Sequence, residues 1–241
     1  MTGEITLTDE SVTPVTPTDT LTIMTQNPET LPEALRAVAD AGVIAVLRAP
    51  TSEAAVAAAE ALIAGGVTAI EVTYSTPDAA PAIARIRQDF PDAIVGAGTL
   101  TRRPQVTEAA VAGAQFLVSP GTAPDLVRFM TDTGLPTMSG ALTPTELMAA
   151  LELGVAAIKI FPGSLVGPSY LRALRGPFPD VPLMPTGGVS ADNLGDWLSA
   201  GAFAVGAGSE LCSASDMADQ RWDVITEKAR RFSAALAAAR S

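Results

Sequence analysis

Histidine is absent from the 241-residue sequence, which removes several kinds of catalysis at once. No zinc site with a histidine ligand can form, and neither a Ser-His nor a Cys-His nucleophile pair is available. Histidine is also the commonest general acid or base. Any proton transfer must therefore fall to carboxylates, lysine, tyrosine or water.

Positive charge and cysteine are also scarce. The net charge of −11 argues against a nucleic-acid partner, so an anionic substrate must be held by local arginines and backbone amides. The lone cysteine, Cys212, cannot form an intrachain disulfide, and we expect a cytoplasmic protein. No apolar run approaches the ~20 residues of a membrane span, and no basic residue precedes Arg36. We therefore expect neither a membrane partner nor a secretory signal.

Lysine is the rarer of the two strongly basic residues. Only two of the 15 arginines and lysines are lysines, Lys159 and Lys228, and Lys159 lies within a short apolar run, residues 157–161 (AIKIF). A desolvated lysine can lose its proton and attack a carbonyl, whereas arginine stays charged. The run is therefore compatible with imine (Schiff-base) chemistry at Lys159. A lysine at a strand end or in a buried ion pair would leave the same pattern.

Residues 1–28 are rich in threonine and acidic side chains and contain no basic residue, so we expect a flexible acidic extension there. Residues 29–241 are expected to form one domain that opens with a helix at Leu31–Ala41, ended by Gly42. Eight strand-like apolar runs come next, each followed by a helix-length segment. The runs are Val43–Leu47, Ala69–Thr73, Ala93–Ala97, Gln115–Ser119, Pro136–Ser139, Ala156–Phe161, Val181–Pro185 and Phe203–Gly206.

Eight strand–helix units favour a (β/α)8 (TIM) barrel over the alternative, an open doubly wound sheet. Helix starts are indicated by a capping box at residues 143–146 (TPTE) and by Thr122 and Ser190 as N-caps. The run Gly96–Thr99 lacks the third glycine and the downstream acidic residue of a dinucleotide-binding motif. It indicates a close backbone approach at a strand end instead.

Barrel active sites lie at the carboxyl ends of the strands, and inward side chains alternate along each strand. Glu71 lies between Ile70 and Val72, as unusual a setting for a carboxylate as the run around Lys159 is for an amine. Because a buried ion without a partner is costly, we expect Glu71 and Lys159 to pair. They are either a packing ion pair or a catalytic set. In the second case Lys159 forms an imine with a ketone, and Glu71 moves protons directly or through water.

Polar residues follow several other strands. Arg48 is either a loop charge or a bidentate clamp for a carboxylate. Thr73 and Thr99 can donate hydroxyl hydrogen bonds, or they serve as a strand threonine and a helix cap. Thr186–Gly188 and Gly208–Ser209 fit the phosphate site that barrels form after strands 7 and 8. Glycines in tight turns are the alternative explanation of these two runs.

Six motifs in chain order closely resemble the 2-keto-3-deoxy-6-phosphogluconate (KDPG) aldolase family, which includes 4-hydroxy-2-oxoglutarate aldolases. The motifs are Ile44–Arg48 (IAVLR), Ile70–Thr73 (IEVT), Val95–Thr99 (VGAGT), Val118–Pro120 (VSP), Ile158–Pro162 (IKIFP) and Pro185–Val189 (PTGGV). The resemblance implies a class I aldolase that uses no metal or other cofactor. Such an enzyme splits KDPG into pyruvate and glyceraldehyde 3-phosphate, as a homotrimer.

The same resemblance implies the roles of individual residues. Lys159 would be the Schiff-base lysine, and Glu71 would be the proton-transfer residue. Substrate contacts would be made at Thr99 for the pyruvate carboxylate, at Pro120 and Phe161 along the pocket, and at Gly187, Gly188 and Ser209 for the phosphate.

One position departs from the family pattern. Many relatives carry an arginine four residues after the glutamate to hold the carboxylate, and this sequence has Ser75 there. Other members supply the arginine from the end of strand 1, which Arg48 matches.

Relatives that act on the phosphogalactonate isomer share the lysine and the glutamate, but residues 176–179 (GPFP) and the PTGG run look more like the gluconate branch. Two other interpretations are a phosphosugar isomerase or synthase that leaves Lys159 unmodified, and a silent barrel used as an assembly scaffold.

Overall fold

A computed structural model describes residues 31–241, and the acidic extension predicted for residues 1–28 lies outside this range. The strands of the described part are β1 (Val43–Leu47), β2 (Ala69–Thr73), β3 (Ile94–Gly98), β4 (Leu117–Val118), β5 (Thr137–Ala141), β6 (Ala157–Ile160), β7 (Leu183–Pro185) and β8 (Val205–Ala207). They form one parallel sheet in the order β7-β6-β5-β4-β3-β2-β1-β8. A bridge between Thr186 and Gly206 joins the two end strands, so the sheet is a barrel.

Helices alternate with these strands and surround them. They are α1 (Glu33–Ala41), α2 (Ser52–Ala64), α3 (Ala79–Asp89), α4 (Arg103–Val111), α5 (Pro124–Thr131), α6 (Pro144–Glu152), α7 (Gly167–Leu174), α8 (Leu194–Ser199), α9 (Ala214–Ala218) and α10 (Trp222–Arg240). A 3-10 turn at Gly163–Leu165 precedes α7. The predicted (β/α)8 barrel with an N-terminal helix is confirmed. None of the helices in the described residues has the length and hydropathy that crossing a bilayer requires.

Local sequence signals placed most element boundaries within two residues. Both β1 and β2 have the predicted limits, and α1 ends where Gly42 adopts a left-handed φ of 66°. The capping box is confirmed: the Thr143 hydroxyl accepts from the Glu146 amide at 3.3 Å, and the Glu146 carboxylate accepts from the Thr143 amide at 2.9 Å. These short-range bonds need no tertiary information.

Two predicted helix caps are wrong. Helix α5 begins after Ala123, and the hydroxyl of Thr122 instead donates to the carbonyl of Gly140 in β5 at 3.0 Å. Helix α8 begins at Leu194, preceded by Asn193 rather than Ser190. The Thr122 side chain therefore joins a loop to the next strand rather than capping a helix, whereas Ser190 takes part through its backbone amide, which donates to the Asn193 side chain.

The core has two apolar layers. One fills the barrel interior and includes Ile44, Phe116, Met138 and Met184. Helix α1 packs against this layer through Leu35 and closes one end of the barrel. The other layer lies between the outer face of the sheet and the surrounding helices. Because inward side chains alternate along each strand, the next inward positions after the apolar layer carry the polar residues of β2 and β6. The interior is therefore apolar near α1 and polar at the carboxyl ends of the strands.

A buried carboxylate joins α9 to α10. Asp216 is 3% exposed, and its side chain accepts hydrogen bonds from the Lys228 ammonium and the Ser213 hydroxyl, each at 2.6 Å, and forms an ion pair with Arg221 at 2.7 Å. The hydrogen bond from Lys228, followed by that from Ser213, holds the pKa of the Asp216 carboxyl below its usual range. The second lysine of the chain is thus committed to a structural ion pair.

Asp216→Asn is expected to lower the free energy of unfolding at pH 7 by about 2 kcal/mol, because the amide cannot hold two cations. A carboxyl with a depressed folded-state pKa contributes stability above its unfolded pKa of about 3.9, and that stability is lost as pH falls through the folded pKa. Urea unfolding at several pH values should show the difference between variant and wild type shrinking below about pH 4. Glu227→Gln, an exposed carboxylate on α10, is the matched control and should change stability little.

Candidate active site

Two buried ionisable residues face each other across the barrel. Lys159 on β6 and Glu71 on β2 are 88 positions apart in sequence, yet Nζ of the lysine lies 3.3 Å from Oε1 of the glutamate. Their side chains are 5% and 0% exposed. Oε2 of Glu71 is buried and has no hydrogen-bond partner within residues 31–241. The predicted pairing is confirmed, and one carboxylate oxygen remains available to a reacting group or a water.

Residues on the neighbouring strands and an aromatic ring surround Lys159. In the sheet register Lys159 pairs with Gly140 of β5 and with Met184 of β7. A Cβ on Gly140 would collide with the backbone carbonyl of Pro120, which follows β4. The Nζ atom also lies 5.4 Å from the centroid of the Phe161 ring, a distance at which a cation is attracted to the ring face. The amine thus lies over an aromatic ring, and the neighbouring strand position is a glycine.

A cavity of about 340 Å³ opens at this end of the barrel. Its lining includes five of the predicted substrate-binding residues, namely Arg48, Phe161, Gly187, Gly188 and Ser209. Val46, the register partner of Glu71, also lines it, as does the Phe161 ring that faces Lys159. The cavity therefore adjoins the buried ion pair, and it is large enough for a small metabolite.

Thr73 and Arg48 belong to adjacent strand ends. The Thr73 hydroxyl donates to the carbonyl of Leu47 at 3.0 Å and lies 2.8 Å from the Ser75 hydroxyl, so its proton is already used within the protein. Arg48 is exposed at the cavity. The amide of the next residue, Ala49, donates to the buried hydroxyl of Thr76 at 3.0 Å. That bond fixes the backbone from which the guanidinium extends.

Thr99 and Pro120 do not line the cavity but follow the neighbouring strands β3 and β4. Thr99 has a φ of 54°, a left-handed conformation that is unusual for a β-branched residue. Such a backbone costs about 1–3 kcal/mol and clusters at functional sites. Pro120 is partly buried, and its carbonyl packs against Gly140. Both residues thus lie at the carboxyl ends of their strands, where the resemblance requires them.

The loop after β7 contains the two adjacent glycines. Gly187 and Gly188 have φ values of 97° and 72°, so glycine is required here by backbone conformation. Asn193 fixes the loop: its amide nitrogen donates to the Gly188 carbonyl at 2.8 Å, and its side-chain oxygen accepts from the Ser190 amide at 2.9 Å. The sequence analysis missed Asn193, although an asparagine just before an apolar helix is an N-cap signal. Ser209 follows the end of β8, is exposed and also lines the cavity.

Thr186 is the first residue of the run that the sequence predicts as a phosphate site. It is 5% exposed, and its Oγ1 has no hydrogen-bond partner within the described residues. A Cβ on Gly206, its partner in the bridge between β7 and β8, would collide with this hydroxyl. The alternation that places Met184 inward also places Thr186 inward, and that signal was available in the sequence. The hydroxyl is thus a buried polar group at the cavity with no hydrogen-bond partner in the part of the chain that the structure describes.

Within residues 31–241 no cluster of three or more aspartate, glutamate, cysteine or histidine residues could hold a metal ion. Burial, with a smaller contribution from Asp216, raises the pKa of the Cys212 thiol to about 12, so this cavity-lining cysteine stays a neutral thiol. The chemical groups at this end of the barrel are therefore the buried amine and carboxylate of Lys159 and Glu71 and, lining the adjoining cavity, an arginine and backbone amides. This set, at the carboxyl end of a (β/α)8 barrel, defines the class of lysine-dependent lyases that act on carbonyl compounds.

Comparison with known proteins identifies the family. The family model for KDPG and KHG aldolase matches residues 35–228. The chain is 41% identical to a 2-dehydro-3-deoxy-phosphogluconate aldolase of Dickeya dadantii, over 74% of this chain and 84% of that protein. It is 36% identical to a 2-dehydro-3-deoxy-6-phosphogalactonate aldolase of Escherichia coli, over 73% and 87%. The chain belongs to the KDPG and KHG aldolase family.

A solved structure agrees with this placement. The KDPG aldolase of Legionella pneumophila, with pyruvate captured as a covalent carbinolamine, superposes with a TM-score of 0.77 at 33% identity. The match covers 83% of this chain and 98% of that one. The family resemblance seen in the sequence is confirmed, and the protein is an aldolase, that is, a carbon–carbon lyase.

Proposed function

We propose that this aldolase cleaves KDPG to pyruvate and glyceraldehyde 3-phosphate through an imine at Lys159. The observation that carries the proposal is the buried contact between Lys159 and Glu71 beside the cavity. A packing ion pair needs no adjoining cavity, whereas an imine-forming lysine needs both a proton carrier and room for a substrate.

The amine of Lys159 attacks the C2 ketone, and loss of water gives a protonated imine. The bond between C3 and C4 then breaks. Its electrons move to the imine nitrogen, which leaves an enamine of pyruvate, while the C4 hydroxyl loses its proton and becomes the aldehyde. Glu71 accepts that proton, directly or through water, and the enamine is later protonated at C3. Hydrolysis of the imine releases pyruvate and regenerates the amine, so atoms and charge balance over the cycle.

The cavity residues position the substrate. In our proposal Arg48 holds the carboxylate bidentately, together with Thr99. The loop of Gly187 and Gly188, with Ser209 opposite, binds the phosphate mainly through backbone donors. Phe161 and Pro120 form the apolar wall. Thr73 supports this end of the site through its bonds to Leu47 and Ser75, and its proton is not available to the substrate.

A galactonate-type substrate is the second candidate. One relative at 36% identity is a 2-dehydro-3-deoxy-6-phosphogalactonate aldolase. We also propose that the enzyme accepts 4-hydroxy-2-oxoglutarate, works as a homotrimer in the cytoplasm and serves the Entner-Doudoroff pathway. Parallel assays with the phosphorylated gluconate and galactonate substrates, and a native mass measurement, test these assignments.

Incubation with pyruvate followed by borohydride reduction tests the imine itself. Peptide mapping should place the added mass on Lys159 and none on Lys228. Lys228 is an internal control because its ammonium is held by Asp216. If neither lysine is labelled although pyruvate binds, the imine mechanism is excluded. A lysine-independent isomerase or synthase, or a silent scaffold, would then explain the barrel better.

A further inference from the structure

Gly98 ends strand β3 next to the buried carboxylate of Glu71. The register between β2 and β3 pairs Thr73 with Gly98, one inward position beyond the pair of Glu71 and Gly96. A Cβ on Gly98 would lie well under 3.0 Å from Oε1, Cδ and Cγ of Glu71, and real Cβ atoms essentially never come that close to a neighbour. The end of the Glu71 side chain occupies the space that any side chain at position 98 would need.

The requirement for glycine at position 98 is spatial rather than conformational. Gly98 is not among the glycines with positive φ, so a residue with a side chain can adopt its backbone conformation. Gly187 and Gly188, by contrast, have left-handed backbones. Among the glycines of residues 31–241, Gly98 is the one whose added Cβ would meet the Glu71 carboxylate. The need for glycine at position 98 therefore comes from the Glu71 carboxylate.

We propose that Gly98 is a positioning residue for the aldolase reaction, because its missing side chain lets the Glu71 carboxylate lie against Lys159. The proposal rests on the function proposed above, in which Glu71 moves protons. The Oε1–Nζ distance of 3.3 Å already exceeds the ~2.7–2.9 Å of a typical charge-assisted hydrogen bond. A displacement of about 1 Å would therefore end the contact.

A methyl group at position 98 would move the carboxylate rather than the barrel. The atoms it meets, Oε1, Cδ and Cγ, all belong to one side chain with three rotatable bonds. Within the described residues the Glu71 carboxylate is hydrogen-bonded to Lys159 through Oε1, while Oε2 has no partner. Little therefore holds the group in place apart from packing. The loss should fall on proton transfer, and the fold and the attachment of pyruvate should survive.

The test is Gly98→Ala in the full-length enzyme. We expect kcat for cleavage to fall about 100-fold, the scale of a displaced general acid–base group. The pyruvate dissociation constant should change by less than about threefold, because the groups that bind pyruvate in the ground state are unchanged. In a Glu71→Ala background the same Gly98→Ala change should cost no further activity, since the methyl group then has no carboxylate to displace.

Gly96→Ala is the matched control in the same strand. A Cβ on Gly96 would collide with the ring of Phe116 in the apolar layer and not with Glu71. This variant should lose stability through overpacking, typically about 1–3 kcal/mol. Its effect on kcat should be the same with and without Glu71→Ala. A general lesion in β3 and a displaced carboxylate are thereby distinguished.

A Gly98→Ala enzyme with kcat within about twofold of wild type would overturn the proposal, and so would an equal loss in the Glu71→Ala background. If Gly98→Ala fails to fold, the double variant should fold, because alanine at 71 vacates the space. Failure of both variants to fold also overturns it. The proposed function fails separately, if pyruvate and borohydride do not label Lys159 of the wild type. If that label forms and Glu71→Ala is slow while Gly98→Ala is not, the role of Gly98 alone is wrong.

Discussion

Lys159→Met is expected to abolish aldol cleavage, with kcat falling by about 10⁴-fold or more. Methionine preserves the unbranched shape but removes the nucleophile. No other amine can replace it, because Lys228 is the only other lysine and its ammonium is bound to Asp216. Pyruvate release, followed with a coupled dehydrogenase, measures the loss, and borohydride trapping should give no labelled peptide.

The same substitution leaves Glu71 buried without its cation, which is expected to cost about 3–5 kcal/mol of stability. Adding Glu71→Gln removes the uncompensated charge, so the double variant should regain stability without regaining activity. Lys228→Met is the matched control, and it should keep its turnover while it loses stability around Asp216. Appreciable cleavage by a folded Lys159→Met enzyme would exclude the imine mechanism.

Glu71→Gln is expected to give the second largest effect, a fall in kcat of about 10²–10³-fold with a smaller change in pyruvate affinity. Glutamine has the same shape and can still accept a hydrogen bond from Lys159. It cannot accept a proton, so imine formation and enamine protonation should both become slow. Single-turnover trapping should show that pyruvate still labels Lys159, at a reduced rate.

Glu210→Gln controls for the removal of a negative charge near the substrate. Glu210 is exposed and lines the cavity, but it follows β8 and belongs to no buried pair. Its neutralisation should change kcat by less than about threefold, since an exposed charge is well screened. If Glu71→Gln were no slower than Glu210→Gln, another group, or water alone, would carry the protons.

The fold was predictable because its signals are local. Apolar runs that alternate with helix-length segments, and a glycine such as Gly42 at a helix end, identify strands and helices without tertiary contacts. Two helix caps were predicted wrongly because other hydrogen bonds form at those residues. The Thr122 hydroxyl donates to the Gly140 carbonyl of the next strand, and the Ser190 amide donates to the Asn193 side chain. Such choices depend on which carbonyl or amide lies nearby after folding.

The candidate site, too, was predictable from the sequence only in part. An amine and a carboxylate in apolar strands predict each other, because a single buried charge is too costly to leave alone. The sequence could not give their separation, which depends on two strands meeting across the barrel. The Thr186 hydroxyl, which has no hydrogen-bond partner within residues 31–241, and the close approach of Glu71 to Gly98 are likewise properties of the assembled interior.

The sequence by itself determined the barrel, the family and the identity of the buried pair. Periodicity, the absence of histidine and the cost of burying charge act through residue type and spacing alone. Tertiary structure alone decided that Glu71 reaches Lys159, that Arg48 and Ser209 share one cavity, and that glycine must stand at position 98. Those facts depend on close packing between strands far apart in the chain, where about one methyl group of volume separates contact from collision.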